Sequence, residues 1–289
     1  MLLEVDRVIH CQWSVNFNLA VESFEKHIQG VRHLVDFSLS AQKKVPIIFV
    51  SSVLSTIGKT GSERQSDLAR PTTGYGRSKL VGELILKAAA DKCGMPAAVV
   101  RVGQIAGQEV TTSGNSVWNQ HDWLPSIIGS SVKALGLFPR DLGVMNGIRW
   151  LPIDRVARLV LDIAGISEPV PVSRITGCFY GINPHKTLWG ALAPEVAALY
   201  GDRIKALVDW EQWLEALEKS STDDIESNPA FKLLDFLKHS MVEAGDVEDQ
   251  LATLTSGDLE RTMDLSRTLK ETRAISTELM VKWCGEWDY

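Results

Sequence analysis

The stretch Val45-Pro46-Ile47-Ile48-Phe49-Val50-Ser51-Ser52 decides the fold of this chain. Its first six residues are apolar, in a run too short for a helix and without the alternation of a half-exposed strand. It therefore predicts a strand that is buried on both faces of a parallel sheet. Ser51 and Ser52 follow at its carboxyl end, which is where ligands bind in open α/β sheets. We therefore expect a binding or catalytic site at these two serines.

A second stretch, Gly74-Tyr75-Gly76-Arg77-Ser78-Lys79-Leu80-Val81-Gly82-Glu83, begins a helical pattern. Tyr75 and Lys79 are four residues apart, so their side chains share one face of the helix. An ammonium close to a phenol favours the phenolate, which would lower the pKa of Tyr75 and make it a general acid or base near neutral pH. The Ser52 hydroxyl can bind the same carbonyl oxygen that Tyr75 protonates.

Further segments continue the alternation of strands and helices. The run Val5-Asp6-Arg7-Val8-Ile9-His10 predicts a short strand, and apolar residues at helical spacing over residues 24–35 predict a helix after it. A helix over residues 75–93, ended by Gly94, leads into a strand over residues 97–102. Repeated βα units predict an α/β fold with a doubly wound parallel sheet.

The buried strand, the serine pair and the Tyr-x-x-x-Lys spacing together resemble the short-chain dehydrogenase/reductase superfamily in its extended form. Other segments resemble the C-terminal thioester reductase domain that ends fungal enzymes related to nonribosomal peptide synthetases (NRPS-like), aminoadipate reductases and carboxylic acid reductases. These segments are residues 9–17, 101–107, 119–125, 150–154 and 228–234.

This resemblance implies a reaction and a set of site residues. The reaction is the NADPH-dependent reduction of an acyl thioester, carried on the phosphopantetheine arm of a carrier protein, to an aldehyde or alcohol in secondary metabolism. Ser52 would polarise the carbonyl, Tyr75 would protonate its oxygen, and Lys79 would lower the Tyr75 pKa and hold the nicotinamide ribose. The implied cofactor contacts also include Cys11, Gln12, Trp13, Ser51, Val102 and Gly103, and the implied acyl contacts are Gln104, Trp118 and Trp123.

For the tryptophans among these contacts, packing in the core is the competing interpretation, and for any one of them alone it is the favoured one.

The sequence departs from the family at the expected phosphate-binding turn. No G-x-G-x-x-G stands between a strand and a helix near residue 1, and the chain begins at what resembles the fourth strand of the family's sheet. We therefore expect an incomplete, N-terminally truncated Rossmann-like sheet. Residues 5–10 would form an open edge that pairs with a second copy of the chain or with another protein.

Several functions remain open on these grounds. The first is the thioester reductase, either active or as a truncated remnant. The second is a non-redox descendant that binds a substrate or carrier protein, or that catalyses a cofactor-free condensation or cyclisation. The third is a sugar epimerase or dehydratase of the extended superfamily, which the fold alone would allow.

The expected organisation is a partial NAD(P)-binding domain over residues 1–107 and a mostly helical substrate lobe over residues 108–289, with residues 150–165 packing back on the first domain. Apolar spacing predicts helices over residues 123–137, 204–217, 229–241 and 277–287.

The composition excludes several classes of protein. The chain has 289 residues and a net charge of −6 without a basic run, which argues against nucleic acid as a partner. Four cysteines without C-x-x-C spacing, and histidines without metal-ligand spacing, indicate reduced thiols and no metal site. No signal peptide or membrane-spanning run is present, so we expect a cytoplasmic protein that does not bind membranes.

Overall fold

The computed structural model describes residues 4–56, 71–110, 118–220, 226–243, 257, 259–287 and 289. By its internal contacts the chain divides into two units. The first unit comprises Met1–Ile105, Arg155–Pro184 and Asp249–Thr272, and the second comprises Ala106–Asp154, His185–Glu248 and Arg273–Tyr289.

The strands and helices follow one another along the chain in a βα pattern at first and in a mostly helical pattern later. The strands are β1 (Val8–His10), β2 (Ile47–Ser52), β3 (Ala97–Val102), β4 (Ile105–Ala106), β5 (Leu137–Pro139), β6 (Gly147–Ile148), β7 (Leu151–Pro152), β8 (Gly177–Gly181), β9 (Thr187–Leu188) and β10 (Ala206–Val208). The helices are α1 (Glu25–Ser40), α2 (Gly74–Cys93), α3 (Trp123–Ser130), α4 (Ile153–Ile163), α5 (Val172–Ile175), α6 (Trp189–Leu199), α7 (Trp210–Lys219) and α8 (Leu234–Glu243), followed by Arg267–Lys270 and Thr277–Gly285.

A four-stranded parallel sheet with the order β1-β2-β3-β8 forms the centre of the first unit. The side chains of Ile47, Ile48 and Phe49 are fully buried, as the uninterrupted apolar run predicts for an inner strand with both faces covered. In register, Ser51 on β2 lies beside Arg101 on β3, which in turn lies beside Tyr180 on β8. The parallel α/β fold expected from the sequence is confirmed.

Local sequence signals determine where helix α2 begins and ends. The Thr73 hydroxyl caps its start by accepting a hydrogen bond of 3.0 Å from the Gly76 amide. Gly94 ends it in the left-handed conformation, with φ of 60°, which glycine adopts without steric cost. The helix expected over residues 75–93 is therefore present and begins one residue earlier.

The second unit is built around an aromatic core, in which Trp118 contacts Trp150, Trp283 and Trp287 edge-on or tilted. The helix expected over residues 204–217 is wrong in its first part. Residues 206–208 form β10, which pairs in parallel with β5, and α7 begins only at Trp210. The helix expected over residues 123–137 ends as a π-helical turn at Leu135, and Leu137 belongs to β5.

The described part of the chain has neither a membrane-spanning helix nor a disulfide bond. Among the helices of the described ranges, none combines the length and the apolar character that crossing a lipid bilayer requires. All four cysteines are free: Cys11 and Cys93 are exposed, Cys178 is half-buried and Cys284 is buried.

Candidate active site

The structure brings Ser52 and Tyr75 together at the carboxyl end of β2. Ser52 is the last residue of the strand, and its hydroxyl accepts a hydrogen bond from the Leu54 amide at 3.2 Å. The same hydroxyl is close enough to the Tyr75 hydroxyl to lower its pKa. The Tyr75 ring is fixed from two sides by edge contacts with Phe17 and Phe24, at centroid distances of 5.3 and 6.1 Å. The hydroxyl that would react is therefore positioned by the packing of its ring and lies next to Ser52.

Glycines on either side of Tyr75 permit this approach. A Cβ atom on Gly76 would lie 2.4 Å from the carbonyl oxygen of Leu54, in the turn that follows Ser52. A Cβ atom on Gly74 would lie 2.2 Å from the carbonyl oxygen of Leu19. Both contacts are with backbone atoms, which cannot rotate away. Only glycine therefore lets the start of α2 lie this close to its two neighbouring loops.

Lys79 lies in the same buried cluster, one helical turn after Tyr75. Its Nζ atom donates a hydrogen bond of 2.7 Å to the carbonyl oxygen of Val50. The ammonium also lies over the rings of Trp13 and Phe49, 4.4 and 4.8 Å from their centroids, in cation–π geometry. Burial disfavours the charged amine and lowers the pKa of Lys79 to about 7, although the charge of Glu83 acts in the opposite direction.

The pKa of Tyr75 differs from the expectation that Lys79 would lower it. Burial raises the pKa of Tyr75 to about 12, and the hydrogen bond from Ser52 opposes this only in part. The Lys79 ammonium is bound to Val50 and lies 5.9 Å from the centroid of the Tyr75 ring. In this arrangement Tyr75 is protonated at neutral pH and can act as a proton donor.

A buried ion pair lies next to these residues and was not among the expected site residues. Glu83 accepts hydrogen bonds from Arg101 Nη2 at 2.6 Å, from Ser51 at 2.5 Å and from Ser55 at 2.7 Å. Arg101 also donates to the Tyr180 hydroxyl at 2.7 Å. Burial alone would lower the pKa of Arg101, but the charge and hydrogen bonds of Glu83 outweigh it and raise that pKa.

The sequence contains a signal for this pair. Arg101 interrupts the otherwise apolar strand Ala97–Val102, and a charged residue in a buried strand requires a partner of opposite charge. Glu83 is four residues after Lys79 and therefore shares its helix face. Identifying Glu83 as the partner of Arg101 required knowing that α2 covers the carboxyl ends of β2 and β3.

The other expected cofactor contacts lie around the ends of β1 and β3. Trp13 packs on Lys79 and donates to the Ser78 hydroxyl at 3.1 Å, whereas Cys11 and Gln12 are exposed. Val102 ends β3, and the Gly103 amide continues the ladder by donating to the carbonyl oxygen of Gly181 at 3.0 Å. Ser51 is turned to Glu83, as described above.

The three expected acyl contacts are divided between the units. Gln104 lies in the first unit, where its side-chain amide donates to the carbonyl oxygen of Ile105 at 2.7 Å. Trp118 and Trp123 belong to the second unit, and both contact the ring of Trp150. Trp118 is 6% exposed and donates to Asp122 at 2.8 Å, which agrees with packing in the core. Their role toward an acyl group stays a prediction.

The donors at this site fit the ribose of a nicotinamide cofactor. A lysine ammonium has three N–H donors, of which the Val50 carbonyl accepts one. The Tyr75 hydroxyl and the remaining N–H groups of Lys79 have the chemistry needed to bind sugar hydroxyls. These residues would therefore hold the nicotinamide end of a dinucleotide.

The parallel sheet, with Tyr75 next to Ser52 and Lys79 at an inner strand, has the architecture of a Rossmann-like fold. Solved structures agree with this fold. The chain is similar to the terminal R domain from the myxalamid PKS-NRPS biosynthetic pathway, with a TM-score of 0.72 and 20% identity over 98% of this chain and 68% of that one. It is also similar to a thiolation-reductase di-domain from an archaeal nonribosomal peptide synthetase, with a TM-score of 0.65 and 18% identity over 97% of this chain and 56% of that one.

Sequence comparison gives the family. The model of an NAD-binding family described as male sterility protein matches residues 1–160, which is more than half of the chain. The chain therefore belongs to this NAD-binding family. It is also 46% identical, over its whole length, to the carboxylic acid reductase of Neurospora crassa. The aligned region makes up 28% of that enzyme, so the chain spans little more than a quarter of this relative's length.

Proposed function

We propose that this chain reduces an acyl thioester, with NADPH as the hydride donor. The observation that carries the proposal is the position of the Tyr75 hydroxyl next to Ser52, one helical turn from the buried ammonium of Lys79. A carbonyl reduction requires three groups from the protein, namely a proton donor, a hydroxyl that polarises the carbonyl and a cation that binds the ribose. The similarity to a carboxylic acid reductase supports the same reaction class.

Tyr75 and Ser52 have different roles in the proposed reduction. NADPH would supply a hydride to the acyl carbon of the thioester. Tyr75 would donate its proton to the carbonyl oxygen, while Ser52 would donate a hydrogen bond to the same oxygen and so stabilise the charge that develops there. The resulting thiohemiacetal would release the thiol and an aldehyde, and a second reduction would give an alcohol.

The pKa values of this pair suit the reductive direction. Reduction consumes protonated Tyr75, and a pKa of about 12 keeps that form populated at neutral pH. The pKa of Lys79, at about 7, allows its ammonium to return a proton to Tyr75 after each turnover. Lys79 would also hold the ribose through its remaining N–H groups.

The proposed substrate is a thioester on the phosphopantetheine arm of a carrier protein. A similar solved structure is named a thiolation-reductase di-domain, in which a carrier and a reductase belong to one chain. Trp118, Trp123 and Gln104 are the proposed acyl contacts. The cytosol, where free thiols persist, is the proposed location, in agreement with the four free cysteines.

A second partner is proposed at the edge of the sheet. In the described part of the chain β1 pairs only with β2, so its other edge presents free backbone groups. Such an edge pairs readily with a further strand. We propose that this edge accepts a strand from a second copy of the chain or from another polypeptide. Light scattering at micromolar concentration tests the first case, since a monodisperse monomer would contradict it.

Calorimetric titration of the folded chain with NADPH tests the proposed cofactor. We expect binding that Lys79→Ala weakens at least tenfold, since a charge-assisted hydrogen bond contributes about 1.5–3 kcal/mol. Lys87→Ala is the matched control, because Lys87 lies on the same helix in an exposed ion pair with Asp91. Tighter binding of NADH than of NADPH would reject the proposed nucleotide. No binding by the folded chain would reject redox chemistry and select a binding or condensation role.

A further inference from the structure

The carboxylate of Glu83 joins the two segments that carry the reacting groups. Glu83 is 4% exposed and lies on α2, the helix that carries Tyr75 and Lys79. The two serines that donate to it lie on either side of Ser52, since Ser51 precedes it on β2 and Ser55 ends the turn that follows it. One carboxylate therefore fixes the chain on both sides of Ser52 against the helix.

Arg101 pairs with this carboxylate from the neighbouring strand β3. Its guanidinium donates from Nε to both Glu83 oxygens at 3.2 Å and from Nη2 to one of them at 2.6 Å. An arginine is charged at any physiological pH, so it gives the Glu83 carboxylate a fixed counter-charge. The Tyr180 hydroxyl accepts the bond from Nη1, which orients the guanidinium from the opposite side. Beyond each other, the two residues of the pair are hydrogen-bonded by Ser51 on β2, Ser55 in the turn after β2 and Tyr180 on β8.

Glu83 is also the acidic group that faces Lys79 from its own helix. The other titratable groups that act on or near Lys79 are His10, Cys11 and Tyr75. Burial lowers the pKa of His10, and the charge of Lys79 lowers it further, so His10 is neutral beside the ammonium. Glu83 is therefore the principal negative charge that opposes the loss of the Lys79 proton.

We propose that Glu83 is a positioning residue for the reductase, which holds the Ser52 turn against Tyr75 and stabilises the ammonium of Lys79. This inference rests on the proposed function, and it adds Glu83 with Arg101 to the groups on which the reaction depends. A purely structural ion pair would contribute to folding alone, and apolar residues of similar volume could replace it without effect on Lys79.

Carbon-13 NMR of lysine Cε atoms measures the charge on Lys79 without cofactor or substrate. The resonance is assigned by its absence in Lys79→Arg, and its pH titration is compared between the wild type and Glu83→Gln. We expect the pKa of Lys79 to fall by about 1 in Glu83→Gln, because an opposite charge one helical turn away is lost. Asp91→Asn, which removes an exposed acid from the same helix, should leave the titration unchanged.

A second variant is needed in case Glu83→Gln does not fold. Glu83→Gln leaves Arg101 buried without its partner, which costs about 3–5 kcal/mol and can unfold the chain. Glu83→Gln combined with Arg101→Met removes both charges, and the same fall in the pKa of Lys79 is expected. A folded variant of either kind with the titration of the wild type would overturn the proposal.

The Ser55→Ala variant tests the position of the Ser52 turn separately from the effect of Glu83 on the charge of Lys79. It removes one hydrogen bond from Glu83 while leaving the carboxylate in place. We expect kcat for octanoyl-pantetheine to fall about tenfold, with the KM for NADPH and the titration of Lys79 unchanged. An unchanged kcat would remove Ser52 positioning from the proposal. A wild type without activity would refute the proposed function instead, while the NMR titration would still decide the role of Glu83.

Discussion

Replacing Gly76 by alanine should separate Ser52 from Tyr75. The new Cβ atom would lie 2.4 Å from the carbonyl oxygen of Leu54, whereas ordinary contact begins at 3.4 Å. The helix and the turn must therefore move apart by about 1 Å. Because Leu54 is two residues after Ser52 in the same turn, the Ser52 hydroxyl moves with it.

The magnitude follows from this displacement. A misplacement of about 1 Å in a catalytic group costs on the order of 100-fold in rate. Alanine is favoured over glycine in a helix by about 1 kcal/mol, but crowding a packed site costs about 1–3 kcal/mol. We therefore expect Gly76→Ala to lower kcat about 100-fold and to leave stability equal or somewhat reduced.

The control is Gly30→Ala in α1, where an added Cβ atom meets nothing within 4 Å. This variant should gain about 1 kcal/mol of stability from helix propensity and keep its full kcat. The assay follows the consumption of NADPH with octanoyl-pantetheine, and urea unfolding gives the stabilities. A Gly76→Ala variant with the kcat of the wild type would refute the claim that close backbone approach holds Ser52 on Tyr75.

Two further predictions concern the charge of Lys79. Reduction requires its ammonium, so kcat should be constant below the pKa of about 7 and fall as the pH rises through it. A pH–rate profile that is flat from pH 6 to 9 would contradict this role. Folding lowers the pKa of Lys79 from 10.5 to about 7. Between these pH values the unfolded chain therefore binds more protons than the folded chain. As a result, this group makes the protein less stable below pH 7 than above pH 10.5. Lys79→Met should therefore stabilise the chain by several kcal/mol, at most about 5, at pH 6 and hardly at pH 10.5. An equal effect in urea unfolding at both pH values would exclude the penalty of burying the charge.

The first half of the chain was predictable because its signals are local. Strand β2 is an uninterrupted apolar run, and α2 carries its own capping residue and its own terminating glycine. The spacing of Tyr75 and Lys79 indicated a shared helix face, and the structure places Tyr75 next to Ser52 and the Lys79 ammonium on the Val50 carbonyl of the same strand. The close approach of α2 to that strand end was not predicted, because it depends on the contact between Gly76 and the carbonyl oxygen of Leu54, which is distant in sequence.

The remainder depends on contacts between distant segments. Strand β10 has three residues, and its pairing with β5 is what makes it a strand, so the apolar spacing around it suggested a helix instead. The pairing of Glu83 with Arg101 likewise required the order of the strands. The pKa of Tyr75 could not be foreseen from its spacing to Lys79, because burial and the direction of the ammonium determine it.

The most direct test of the central claim is the transfer of deuterium from NADPH labelled at the reactive position of its nicotinamide ring. The wild-type chain is incubated with octanoyl-pantetheine and labelled NADPH, and the released aldehyde is examined by mass spectrometry. We predict one deuterium at the aldehyde carbon with the wild type, and a loss of product of at least 100-fold with Tyr75→Phe, which keeps the ring but lacks the proton donor. Unlabelled aldehyde, or equal product from Tyr75→Phe, would contradict hydride reduction at the Ser52, Tyr75 and Lys79 site.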